Sequence, residues 1–160
     1  YKRQLMQGVT ELGGETLFML FMLVVFWCVD KNKGYFLMLL CFTGTAVNQM
    51  LKITFCIPRP WVLDPSFEIV ESARAGATGF SFPSGHTWSA VTGAWVITAA
   101  NRKFGWGAIP LAAALAFSRL YLFVHFPSDI LAGAIIGALL GLAAVQLERR
   151  LPRKLSHVKN

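Results

Sequence analysis

Long apolar runs with few charges, separated by short polar turns, make up most of the chain. They lie at about residues 10–29, 35–51, 84–101, 106–124 and 130–147. A helix needs about 20 mostly apolar residues to cross the hydrocarbon of a bilayer, and each run approaches that length. Because a backbone in lipid must satisfy its own hydrogen bonds, such runs are typical of membrane-spanning helices. The pattern therefore predicts an all-α, integral-membrane helical bundle with about five transmembrane helices.

The composition agrees with a chain whose solvent is partly lipid. Hydrophobic residues make up 55% of the 160 residues and charged residues only 14%, whereas a soluble domain carries about 25% charged residues. One domain is expected at this length. We predict a single membrane-embedded domain over residues 1–160, ending in a basic cytoplasmic tail at residues 148–160.

Basic residues concentrate at alternate turns between the apolar runs. They are Lys31, Lys33, Arg102, Lys103, Arg149, Arg150, Arg153 and Lys154. Alternate turns of an antiparallel bundle share one side, and the positive-inside rule makes this side cytoplasmic. These basic turns account for much of the net charge of +7. The predicted partners are therefore membrane lipids and a lipid substrate rather than nucleic acid. The loop at 59–82 and the break at 125–129 then lie on the extracytoplasmic side.

Three groups of polar residues lie at the extracytoplasmic ends of the predicted spans. They are Lys52 with Arg59; Ser84, Gly85 and His86; and Arg119, His125 and Asp129. Each residue alone is more often an interfacial anchor or an ordinary helix start. However, ionisable groups at membrane depth are costly, and six of them at the ends of separate spans on one face are hard to explain as anchors.

The cations in these groups suit a bound phosphate. One arginine guanidinium group can bind two phosphate oxygens at once, and Lys52 adds a point charge. Ser84 and Gly85 open a helix, whose unpaired N–H groups and dipole favour an anion. A two-metal hydrolase would need several carboxylates, and only Asp129 is well placed. No metal or other cofactor is therefore predicted.

The two histidines take different predicted roles. Asp129 follows His125 by four residues, and Pro127 is typical of a first helical residue, so the carboxylate can reach back to the imidazole. Such a partner fixes the tautomer and supports positive charge on the ring, which makes His125 the predicted nucleophile. His86 lies beside the predicted phosphate-binding turn and suits a general acid that protonates the leaving oxygen.

The three groups follow the pattern K-x6-RP, then PSGH, then SR-x5-H-x3-D, from Lys52 to Asp129. These motifs resemble the signature of the type 2 phosphatidic acid phosphatase superfamily, which includes lipid phosphate phosphatases and vanadium haloperoxidases. The resemblance implies that His125 becomes phosphorylated, that His86 is the acid and then the base for water, and that Asp129 orients His125. It implies that phosphate is held by Lys52, Arg59, Ser84, Gly85, His86 and Arg119.

Two departures from the family pattern are visible. Phe123 stands two residues before His125, where many relatives carry a small residue, and we expect it to narrow the pocket. Membrane members of the family usually have six spans, whereas this sequence shows five. Because the first predicted span runs from outside to inside, we expect the missing span to precede Tyr1.

The sequence thus predicts a metal-independent membrane phosphatase that hydrolyses a lipid phosphate or isoprenoid diphosphate through a phosphohistidine at the extracytoplasmic face. Candidate substrates are phosphatidic acid, phosphatidylglycerol phosphate and undecaprenyl diphosphate. One alternative is a lipid phosphotransferase, in which an alcohol instead of water intercepts phosphorylated His125. Another is a non-catalytic lipid-phosphate binding or transport protein, although simple binding needs no nucleophile paired with Asp129. A haloperoxidase is disfavoured because that chemistry is expected on a soluble chain.

Overall fold

The structure is a computed structural model that describes residues 2–66, 69 and 71–150. Its helices are α1 (Lys2–Leu12), α2 (Glu15–Val24), α3 (Lys31–Phe55), α4 (Pro60–Leu63), α5 (Glu71–Ala75), α6 (Gly85–Ala100), α7 (Arg102–Tyr121) and α8 (Pro127–Arg150). A π-helical turn, Val25–Val29, follows α2. The described residues contain no β-strand, which confirms the predicted all-α class. Residues 151–160, most of the predicted basic tail with Arg153 and Lys154, lie outside the described residues.

Polar residues begin two of the long helices. The side chain of Asp30 accepts hydrogen bonds from the backbone nitrogens of Asn32 at 2.8 Å and Lys33 at 3.2 Å, which caps α3. Asn101 caps α7 in the same way by accepting from the nitrogen of Lys103 at 3.0 Å. Such caps satisfy N–H groups that a helix leaves unpaired at its start. The short polar turns in the sequence are therefore the points where one long helix ends and the next begins.

The first apolar run does not form a single helix, so that prediction was wrong. The chain breaks at Gly13–Gly14, between α1 and α2. Gly13 packs so closely on α7 that a Cβ atom there would lie 2.9 Å from the side chain of Leu115. One turn earlier, the hydroxyl oxygens of Thr10 and Ser118 lie 2.7 Å apart. The contact with α7 thus fixes α1 separately from α2, which the hydropathy pattern alone does not reveal.

The other predicted spans correspond to single helices with shifted ends. α6 agrees with the predicted 84–101, whereas α7 begins and ends earlier than the predicted 106–124. α3 and α8 extend beyond the predicted 35–51 and 130–147 at both ends. The 59–82 loop contains the short helices α4 and α5, which hydrophobic periodicity did not predict.

Two segments of the described chain are long and apolar enough to cross a membrane by length and composition. They are Lys31–Leu63 and Pro127–Arg150, and a shorter apolar helical stretch covers Phe18–Cys28. α6 is only 16 residues long, and α7 carries charges near both of its ends. The predicted number of about five spans therefore stays a prediction.

Helices α6, α7 and α8 form the centre of the bundle, and glycines allow α8 to approach α6 closely. A Cβ atom on Gly133 would lie 2.8 Å from the carbonyl oxygen of Ser84, and one on Gly137 would lie 2.5 Å from that of Trp88. The hydroxyl of Thr92 donates to the carbonyl oxygen of Gly137 at 3.0 Å. The small residues of α8 therefore serve packing within the chain.

The helices place the polar turns at two opposite ends of the bundle. At one end, Lys33, Asn101 and Glu148 line the same cavity, so the turns that carry the basic residues lie together. At the other end, the loops after α3 and α7 are joined by a hydrogen bond from Arg59 Nη1 to the carbonyl oxygen of Val124 at 2.9 Å. The predicted site residues are at this second end, away from the basic turns.

Candidate active site

Arg59 connects two loops at the site end of the bundle. It precedes α4, and its side chain is 4% exposed. Its Nε donates to the carbonyl oxygen of Gly79 at 3.0 Å and its Nη2 to that of Thr78 at 2.8 Å, in addition to the bond to Val124. Lys52, in the last turn of α3, donates from Nζ to the carbonyl oxygen of Phe80 at 3.0 Å. Both cations are therefore attached to the segment that leads into α6.

Ser84 and Gly85 form the start of α6. The backbone nitrogen of Ser84 donates to the carbonyl oxygen of Asp129 at 3.1 Å, which holds this start against α8. The Ser84 hydroxyl accepts from the hydroxyl of Thr87 at 2.9 Å, and within the described chain it makes no capping bond to the helix. The first N–H groups of α6 thus keep their capacity to bind an anion.

Asp129 holds the imidazole of His125. Its Oδ2 lies 3.2 Å from His125 Nδ1, and it also accepts from the backbone nitrogen of Phe126 at 2.8 Å and from the hydroxyl of Ser81. The carboxylate is fully buried, and α8 begins at Pro127 as predicted. These contacts place the proton of a neutral imidazole on Nδ1 and leave Nε2 with its lone pair.

Nε2 of His125 faces the cationic side of the site. It lies 3.4 Å from Nη1 of Arg59. Arg119, on the last turn of α7, is 2% exposed, and its Nε is buried with no hydrogen-bond partner among the described residues. A buried guanidinium nitrogen without a partner is costly, and a bound phosphate would supply the missing acceptor.

His86 lies within electrostatic range of the same groups. These are Arg119, His125, Arg59 and Lys52. His86 is on the first turn of α6, whereas His125 is in the loop between α7 and α8. The structure therefore brings all eight predicted site residues to one end of the bundle, while their individual roles stay predictions.

The pKa of His125 is lowered to about 4, chiefly because the imidazole is buried. The guanidinium groups of Arg59 and Arg119 lower it further, and the hydrogen bond that the ring donates to Asp129 raises it. Burial disfavours the charged ring. The lowered pKa keeps His125 neutral at ordinary pH, and the neutral ring is the form in which an imidazole nitrogen can attack phosphorus.

Sequence reasoning missed Ser81. Its side chain is fully buried, and its hydroxyl, which donates to Asp129, also lies 3.5 Å from His125 Nδ1. Its backbone nitrogen donates to the carbonyl oxygen of Ile57 at 2.8 Å. A single serine in a polar loop gives no periodic or motif signal, so only the folded contacts identify it.

No three His, Cys, Asp or Glu side chains of the described residues come together as a metal ion would require. Of the acidic residues in the 59–82 loop, Glu68 lies outside the described residues, and the carboxylate of Asp64 accepts from the backbone nitrogen of Ser66 at 2.9 Å. Metal-independent chemistry stays a prediction.

The helical fold and this arrangement of motifs agree with a comparison against protein families. The model of the PAP2 superfamily matches residues 33–153, more than half of the chain. The protein belongs to the PAP2 superfamily, as the three motifs predicted.

Several curated proteins are similar to this chain. It is 28% identical over 98 residues to undecaprenyl-diphosphatase BcrC of Bacillus subtilis (strain 168), covering 61% of this chain and 49% of that protein. It is 37% identical over 79 residues to an undecaprenyl-diphosphatase of Sulfolobus acidocaldarius, covering 48% and 38%. It is 29% identical over 121 residues to the bacitracin transport permease protein BcrC of Bacillus licheniformis, covering 75% and 60%. The chain thus spans roughly half the length of these relatives.

A solved structure shares the fold. The transmembrane PAP2 type phosphatidylglycerolphosphate phosphatase from Bacillus subtilis superposes with a TM-score of 0.76. The match covers 94% of this chain and 78% of that chain at 24% identity. At this identity the likeness establishes the helical PAP2 architecture and leaves the substrate open.

Proposed function

We propose that the protein is a membrane phosphatase that hydrolyses a lipid-linked phosphate, with a polyprenyl diphosphate as the first candidate. Membership of the PAP2 superfamily supports phosphatase chemistry. Two relatives named undecaprenyl-diphosphatase favour a diphosphate on an isoprenoid chain. Phosphatidylglycerol phosphate and phosphatidic acid are the substrates to compare with it.

The observation that carries this proposal is the orientation of His125. Its Nδ1 faces the Asp129 carboxylate at 3.2 Å, while its Nε2 faces the guanidinium group of Arg59 at 3.4 Å. A phosphate held by Arg59 and Arg119 would therefore lie next to the nitrogen that carries the lone pair.

The first step forms a bond between His125 Nε2 and phosphorus as the bond from phosphorus to the leaving oxygen breaks. His86 donates a proton to that oxygen, and Asp129 stabilises the ring as it becomes positive. Lys52, Arg59, Arg119 and the N–H groups that follow Ser84 offset the charge on the phosphate oxygens. In the second step His86 takes a proton from water, the water oxygen attacks phosphorus, and the bond to His125 breaks to release phosphate.

The apolar cavity that is lined at one end by Lys33, Asn101 and Glu148 extends along the bundle toward the site and supports a lipid substrate. It has a volume of about 860 Å³, lies between α2, α3, α6 and α7, and includes Trp88 and Ser89, less than one turn after His86. Its wall is largely aliphatic and aromatic. A lipid chain could remain in apolar surroundings while its phosphate enters the cationic site.

We place the site on the extracytoplasmic face of a cell membrane and treat residues 1–160 as one membrane-embedded domain. The support is the charge distribution, because the basic turns lie at the end of the bundle opposite His125. A site at the outer end would meet lipid phosphates that have crossed to the outer leaflet.

Phosphate release from purified protein in detergent tests the proposal. We expect turnover of undecaprenyl diphosphate in the presence of EDTA, inhibition by orthovanadate, and loss of turnover by at least about a thousandfold in His125→Ala. Gln49→Ala, an exposed position on α3, is the control and should keep wild-type turnover.

Two results would contradict the proposal. Activity that EDTA abolishes would exclude the metal-independent route, and full activity in His125→Ala would remove the phosphohistidine. Product analysis with an added alcohol distinguishes the phosphotransferase alternative, because a transferase would form a new phosphate ester at the expense of free phosphate.

A further inference from the structure

Asn48 lies on the inward face of α3 and is only 5% exposed. Gly44, Asn48 and Lys52 are spaced four residues apart, so they share one face of the helix. Gly44 contacts the indole ring of Trp88, and Lys52 reaches the carbonyl oxygen of Phe80. Asn48 therefore faces the bundle interior between the packed centre and the cationic site.

The Asn48 amide lies beside the start of α6. A Cβ atom on Gly85 would be 3.6 Å from Asn48 Nδ2, which is ordinary contact distance. Gly85 is the first residue of α6, where the helix N–H groups and dipole attract an anion. A phosphate bound at this helix start would lie within reach of the amide.

The Oδ1 of Asn48 is buried and has no hydrogen-bond partner in the described part of the chain. Buried polar groups are nearly always hydrogen-bonded in native proteins, since leaving one unpaired is destabilising. The Oδ1 is an acceptor, which a phosphate oxygen does not satisfy, whereas Nδ2, the amide atom nearest to Gly85, is a donor from which a phosphate oxygen can accept.

We propose that Asn48 is a substrate-binding residue whose side-chain amide donates a hydrogen bond to a phosphate oxygen of the bound lipid phosphate. This inference rests on the proposed function, and it adds a contact from α3 that lies outside the three motifs. A neutral amide adds a directed bond without further positive charge. Asn48 thereby complements Lys52, which supplies charge from the next turn of the same helix.

Two nearly isosteric variants test the contact. Asn48→Leu removes the amide and fills its space, and Asn48→Asp places an anion next to the phosphate. Gln49→Leu, on the outward side of α3, is the matched control. For each protein we would measure kcat and KM with undecaprenyl diphosphate, the Kd of orthovanadate by calorimetry, and the melting temperature in detergent.

In Asn48→Leu we expect kcat/KM to fall and the Kd of orthovanadate to rise, each by about 10- to 100-fold, because a hydrogen bond to a charged group is lost. The melting temperature should stay the same or rise, since an unpaired amide oxygen has been removed. Asn48→Asp should weaken orthovanadate binding more than Asn48→Leu, and Gln49→Leu should match the wild type.

An unchanged orthovanadate Kd in Asn48→Leu overturns the inference, whether or not its melting temperature falls. If Asn48→Leu does not fold, a wild-type Kd in Asn48→Asp overturns it instead. A rise in KM without a rise in Kd also overturns it, because the amide would then contact the lipid rather than the phosphate. Wild-type protein that binds orthovanadate without releasing phosphate would refute the proposed function, while the Kd comparison would still decide the role of Asn48.

Discussion

At the scale of single residues, the most informative contact is the one between Ser81 and Asp129. The carboxylate accepts from the Ser81 hydroxyl, from the nitrogen of Phe126 and from His125. Asp129 orients the His125 ring, so a hydrogen bond to Asp129 affects the alignment of that ring. Ser81 is therefore a positioning residue, which affects the reaction through Asp129.

We expect Ser81→Ala to lower kcat by about tenfold with little change in KM, because alignment of His125 is needed in the transition state more than for binding. Steady-state kinetics on purified protein measure both parameters. Ser81→Thr keeps a hydroxyl group at this position, so it should retain most of the wild-type kcat. A rise in KM at constant kcat would instead indicate that Ser81 contacts the substrate.

The lowered pKa of His125 makes a second prediction at this scale. The folded value of about 4 lies below the usual value of 6.5, so the folded protein binds fewer protons between these pH values than the unfolded chain does. Stability from this group is present above about pH 6.5 and is lost as the pH falls toward 4. The neutral nucleophile is retained across the same window.

Nuclear magnetic resonance of histidine-labelled protein in detergent checks this value. The chain has three histidines. Substitution of His86 and of His157 identifies the signals of these two residues, so the third signal belongs to His125. We expect the His125 ring to titrate near pH 4. A midpoint near 6.5 would mean that the ring is solvated and half protonated at mildly acidic pH.

At the scale of helices, the close approach of α6 and α8 depends on glycine. Gly137→Ala should lower the melting temperature, since its Cβ would lie 2.5 Å from the carbonyl oxygen of Trp88 and 2.9 Å from the Cβ of Val91. Overpacking of this kind costs about 1–3 kcal/mol. Gly93→Ala on α6 is the matched control, because a Cβ there meets no described atom within 4 Å. Equal melting temperatures in the two variants would show that the helices can separate without cost.

Hydropathy and motif spacing predicted α6 and the start of α8 well, because a proline or a Pro-Ser-Gly turn marks each boundary. The break at Gly13–Gly14 was missed, since it arises from contact with Leu115, which is far away in sequence. Ser81 and Asn48 were missed for a related reason. Neither belongs to a recognised spacing, and the partners that give them meaning are brought near only by folding.

At the scale of the whole molecule, two native cysteines report the orientation in the membrane. Cys56, at the end of α3, and Cys28, in the turn after α2, are both exposed, and they lie at opposite ends of the bundle. If the site faces outward, a membrane-impermeant thiol reagent applied to intact cells should label Cys56 and leave Cys28 unlabelled.

Cys56→Ser and Cys28→Ser serve as the controls for this labelling, and permeabilised cells should expose both thiols. Labelling of Cys28 alone in intact cells would reverse the proposed topology. The site would then meet lipid phosphates of the cytoplasmic leaflet.

The bonds of Arg59 affect how its variants must be interpreted. This side chain fastens the carbonyl groups of Thr78, Gly79 and Val124, so its removal would loosen two loops before any substrate arrives. The activity lost in an Arg59 variant would therefore combine the effect of disordered loops with that of weaker phosphate binding. The buried Nε of Arg119 is bound by no described residue. Variants of Arg119 therefore report the affinity for an oxyanion more directly than variants of Arg59 do.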